Sequence, residues 1–216
     1  MQSTVQKAHN PLINIFQPRL LRQVHHIVLP WPINATLDGS EVGRVFFIDP
    51  DGALLWDKPE IKQALTDVAN IGIDDIDMDD LVSTITPSDL RSAWELLPGA
   101  VWLLDQGGRC LCKGTDKRYI CHYFDVLALY LVHNLIQEHP EWFTIAGWAE
   151  ATGLSDEQAV LRILMLMAPL AHSEDLIDKH MHLQMTEDLR IEFECRTETS
   201  DPVSYTHLTL PTKRIV

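Results

Sequence analysis

Cys110-x-Cys112 followed by Cys121-His122 is the group whose residue types come nearest to a metal site, since three thiolates and one imidazole could hold zinc tetrahedrally. Its spacing argues against that chemistry. Structural zinc knuckles use C-x2-C, which turns both sulfurs toward one ion, whereas C-x-C on a strand only places two small apolar side chains on one face. Cys110, Cys112, Cys121 and His122 are therefore weak metal candidates. His180-x-His182 puts two imidazoles on one strand face without a nearby third ligand, and His25-His26 precedes an apolar run with no partner visible in the sequence. Asp75, Asp77 and Asp79 fall at the first, third and fifth places of a calcium loop, but Asp80 stands where glycine is needed and Thr86 where glutamate is needed. A solvated acidic loop is the better reading. The chain has no Gly-rich phosphate loop, no G-x-S-x-G and no H-E-x-x-H. No cofactor and no enzymatic activity are expected.

The elements that would position these residues belong to a chain of 216 residues, 46% hydrophobic and 22% charged, enough for one large domain or two small ones. Its formal charge of -14 opposes non-specific attraction to phosphate or anionic lipid. Residues 203–216, VSYTHLTLPTKRIV, resemble translated read-through of a sequencing adapter and are set aside as a non-native tail. Leaving out its Lys213 and Arg214 takes the rest of the chain to -16, and implies that the true C-terminus is missing. No secretory signal or membrane-spanning stretch is visible, so a cytoplasmic protein is expected, its four cysteines reduced.

The fold class expected is α+β, in three parts followed by the tail. Residues 1–26 read as an arm, in which Pro11 and Pro18 break up any helix, with a short helix from Leu20 onward. Residues 27–117 read as a domain with two β-hairpins and two helices. The hairpins are 44–56 and 100–112, turning at Asp49-Pro50-Asp51-Gly52 and Asp105-Gln106-Gly107-Gly108. The two align without a gap at an offset of 56 residues, which is better read as two hairpins of a common type than as a duplication. Between them, one helix starts at an Asp57/Glu60 capping box with apolar positions at Ile61, Ala64, Leu65 and Val68. A second is capped by Thr86 and stopped by Pro98-Gly99. Helix 122–137 is apolar nearly all round, which suits a core or a surface for self-association.

Residues 118–202 carry most of the information. Thr144 caps a short helix that Gly153 ends; Ser155 and Gln158 open the next helix, closed before Pro169; and 181–185 and 189–193 read as strands across Thr186-Glu187-Asp188. The order resembles a winged helix-turn-helix domain, best matched at Ala149, Gly153, Leu154, Val160 and Leu164. That resemblance implies a regulator. For DNA it would use Arg162, Lys179 and Arg190, yet 119–202 holds fifteen acids against four bases. The function expected is accordingly a non-enzymatic regulatory or protein-interaction protein. A DNA-binding transcriptional regulator comes next and a small zinc protein third.

Overall fold

Proline opens the first two helices instead of breaking them. The computed structural model describes residues 11–33, 35–37, 58–71, 76–86, 89–112 and 118–198. Helices α1 (Pro11–Ile15) and α2 (Pro18–Val28) each begin at a proline, where a missing N–H forfeits no helical bond. Leu12, Phe16, Leu21, Val24 and Val28 are buried, so this stretch packs into the body of the protein instead of forming an arm. The first expected hairpin, 44–56, lies outside the described residues. Helix α3 (Pro59–Ala69) buries Ile61, Ala64, Leu65 and Val68, the face read from its periodicity. Its N-cap is Lys58, with no side-chain capping bond, and Asp57 lies outside the described residues.

Helix α4 (Met78–Ile85) starts at Asp77, whose carboxylate accepts the Asp80 N–H at 3.0 Å. The end of the acidic run is therefore a helix start. Thr86 closes α4, its hydroxyl donating to the Val82 carbonyl, and does not cap the next helix. That role falls to Asp89, which accepts the Ser92 N–H at 2.8 Å and opens α5 (Leu90–Ala93).

The second expected hairpin is helical. α6 (Leu96–Trp102), a π-helical turn (Leu103–Gly107) and α7 (Gly108–Cys112) run on without a break. The glycines and the proline that suggested turns do other work. Pro98 lies in the first turn of α6, where its lost N–H has no helical acceptor. A Cβ on Gly99 would stand 2.2 Å from the Leu21 carbonyl oxygen, and one on Gly108 would stand 2.6 Å from the Phe124 side chain. Both glycines permit close helix approach, a use that a lone sequence does not separate from a turn.

Helix α8 (Arg118–Glu138) runs through the middle, with Phe124, Leu127, Ala128, Leu131, Val132 and Leu135 fully buried. A 3-10 turn (Pro140–Phe143) leads to α9 (Ile145–Thr152), which Thr144 caps by accepting the Gly147 N–H at 3.1 Å. Gly153, at φ 76°, ends α9 in the left-handed region, and Ser155 opens α10 (Asp156–His172). Helix α10 continues through Pro169 to His172, four residues past the expected stop. Two helices meeting at a Gly153–Ser155 corner are thus present, but the wing is not. Residues 181–185 and 189–193 belong to one helix, α11 (Leu176–Glu198), that packs along α10.

Among the described residues every regular element is helical, which overturns the α+β class and the winged-helix reading alike. A two-residue alternation at Met181-His-Leu-Gln-Met185 hides a four-residue period. Met181, Met185, Leu189 and Phe193 form the stripe that faces the core. One apolar cluster runs from Leu12 to Leu189, joining both halves of the chain. No helix among the described residues is long and apolar enough to cross a membrane.

Candidate functional site

The outward face of α11 departs most from what packing alone requires. Leu176, Ile177, Leu183 and Ile191 are 79%, 71%, 66% and 46% exposed. At 100° per residue, Leu176, His180, Leu183, Glu187 and Ile191 fall within one stripe, opposite the face that meets α10. Exposed leucines scattered singly need no explanation, but four large apolar side chains on one side of one helix form a patch. Its charges are unevenly placed. Lys179 and His180 lie in the first half, while Glu187, Asp188 and Glu194 outnumber Arg190 in the second.

The helix is firmly seated on its inner side. Asp178 accepts the Ser173 hydroxyl at 2.6 Å and stands 2.8 Å from the His133 ring. Glu192 accepts the N–H groups of Ile145 and Ala146 at 2.9 and 2.8 Å, closing the N-terminus of α9. Arg196 reaches Asp156 with two bonds of 2.8 and 2.9 Å, and the contact with Asp156 first among its causes raises the Arg196 pKa. A cleft of about 220 Å3 beside it has Phe143, Met185 and Leu189 on its apolar side and Thr144, Asp188 and Glu192 on its polar side. A rigid base therefore holds the apolar stripe out to solvent.

A second constellation surrounds the π-helical turn. Asp105 is buried there. It accepts from Gln106 Nε2 at 2.6 Å, lies 2.8 Å from His172 Nδ1, and has Arg109 Nη2 at 3.6 Å. The same Arg109 nitrogen donates to Asp125 at 2.8 Å. Burial first, offset by Arg109, raises the Asp125 pKa. An Asp bonded to Nδ1 orients an imidazole and presents its Nε2, the arrangement used for bases and metal ligands. Here the pair also ties the π turn to the end of α10, and π turns often accompany function. Sequence reading missed both residues, because Asp105 was placed in a hairpin turn and its partner lies 67 positions away.

The residues proposed from sequence are scattered. Cys110 is half-buried on α7 and His122 is exposed on α8. Cys112 and Cys121 belong to those helices, and their side chains lie outside the described residues. His180 and His182 sit on one helix, not one strand face. His180 points outward, while His182 is half-buried, its pKa lowered by burial and then by His172. Arg162 is not a surface cation: it is buried, and its Nη1 donates to the Gln158 carbonyl and to Gln158 Oε1 at 3.0 and 2.9 Å. Arg190 is exposed but engaged, donating to Glu187 at 2.7 and 2.9 Å and to Glu194. Lys179 is exposed on α11.

Comparison with protein-family models, with curated proteins and with solved structures found no match.

Proposed function

We propose that this is a protein-interaction protein whose working surface is the outer face of α11, and that a second copy of the chain occupies that face. The supporting observation is the apolar stripe of Leu176, Leu183 and Ile191 with its uneven charge. Two such helices crossing head to tail about Leu183 set Leu176 and Ile177 of one copy against Ile191 of the other. The same crossing sets Lys179 and His180 against Glu187. A parallel pair would instead stack Glu187, Asp188 and Glu194 on themselves, and like charges side by side are unfavourable. Antiparallel pairing also gives the self-complementary patch that a two-fold dimer needs.

Helix α8 is a poorer surface, because most of its described apolar side chains lie in or against the core and, among them, only Val126 and Tyr130 are large exposed hydrophobics. A duplex-reading role draws little support, with Arg162 buried and Arg190 bonded to two glutamates.

Sedimentation velocity over a concentration series tests the proposal. The expected result is a reversible monomer–dimer equilibrium that Leu183→Glu moves to monomer while its circular dichroism stays unchanged. A wild type that stays monomeric at every concentration, or a variant that dimerises like wild type, would overturn it.

A further inference from the structure

We infer that His25, His26 and Glu95 form a site for a divalent transition metal of the zinc or cobalt kind. One donor atom from each of the three lies within 4.8 Å of the other two. Two imidazoles and one carboxylate are the donors such ions take, whereas calcium and magnesium favour all-oxygen sets. The site stands apart from α11 and does not rest on its pairing.

The fold brings the three together by packing two distant segments. His25 and His26 occupy the last turn of α2, and Glu95 lies in the bend between α5 and α6. The close approach of Gly99 to Leu21 fixes α6 against α2. His26 Nε2 stands 3.2 Å from one Glu95 oxygen, and Arg22 Nε donates to the other at 3.2 Å. An outer-shell donor of this kind orients a carboxylate ligand. Donors around a tetrahedral zinc lie about 3.4 Å apart, so the cluster must tighten by about 1.4 Å at its widest. His26 has an exposed side chain and Glu95 a flexible one, so both can move that far.

His25 supplies the observation that hydrogen bonding leaves unexplained. It is 1% exposed, and among the described residues neither ring nitrogen has a hydrogen-bond partner. Buried polar groups ordinarily find one. Its ring is held edge-on to Trp94, centroids 5.2 Å apart, and Trp94 also lies beneath Arg162 at 5.3 Å. Arg162 opposes a bare dication, which Glu95 partly offsets. Arg162 Nε and Nη2 are buried without hydrogen-bond partners among the described residues.

The test is titration of the full chain with Co2+, followed by its visible absorption and by calorimetry. The expected result is one equivalent bound with a ligand-field band. Glu95→Gln and His26→Ala, both at sites that are not fully buried, should each weaken binding at least 100-fold with unchanged circular dichroism, and His139→Ala should leave it unchanged. If wild type gives no such band, or if both variants bind within threefold of wild type, the assignment is wrong. His25→Ala adds a third check where it folds, and the other two variants decide the matter where it does not.

Discussion

Acid should weaken this protein through His25 in a way that one substitution removes. Burial first, then the Arg162 charge, then His26, lower the His25 pKa from 6.5 to about 3. Unfolding returns the ring to water and to its ordinary value. Between the two values the unfolded chain binds a proton that the folded chain does not. Stability from this group is therefore complete above pH 6.5 and declines as pH falls toward 3. The decline is about 1.4 kcal/mol for each step of one in pH, so roughly 2 kcal/mol is lost by pH 5. The assay is urea unfolding followed by circular dichroism at several pH values, with a chelator present, on wild type and His25→Gln. Carboxylates titrate in both proteins and cancel in the difference. Wild type should lose about 2 kcal/mol relative to the variant between neutral pH and pH 5. Parallel pH profiles would refute the claim that a neutral ring is locked in the core.

Other outcomes follow from the packing of the helices. Gly108→Ala drives a methyl to within 2.6 Å of Phe124 and should cost about 1–3 kcal/mol of unfolding free energy in urea melts, despite alanine's better helix propensity. Gly153→Ala meets no atom within 4 Å, but its φ of 76° should still cost about 1 kcal/mol, read as a lowered Tm. Asp105→Ala leaves Arg109 and His172 without their buried partner. Arg109 keeps Asp125, so the cost should be about 1–2 kcal/mol by the same melts, and faster amide exchange at 103–107 would localise the damage.

Much of the helical half was legible because caps and periodicity agreed. Thr144, Gly153 and Ser155 mark the α9–α10 corner as their chemistry requires, and the faces of α3 and α8 follow from their spacing. Misreadings arose where a residue served tertiary packing. Gly99 and Gly108 are small because another helix passes close by, and neither neighbour can be named from the local sequence. Pro11 and Pro18 start helices, and only the burial of Leu12 and Leu21 reveals it. Met181 to Phe193 fits two periods over a short window, and packing on α10 decides between them. Of the candidate sites, Glu95 lies 69 positions from His26, and Asp105 lies 67 from His172. Such groupings exist only once the helices are assembled. The apolar stripe of α11 is visible in the sequence once the segment is taken as one helix, since Leu176, Leu183 and Ile191 recur at seven and eight positions.

Zero-length carbodiimide coupling of a 1:1 mixture of 14N- and 15N-labelled protein tests the antiparallel pairing most directly. Lys179 and Glu187 of one chain are about 12 Å apart along the helix axis, too far for a direct amide bond within α11. Head-to-tail pairing predicts a peptide of mixed isotope content that joins Lys179 of one copy to Glu187 of another, lost in Leu183→Glu. Coupling of Lys179 only to acids of its own chain, with no mixed-isotope product at any concentration, would contradict the account.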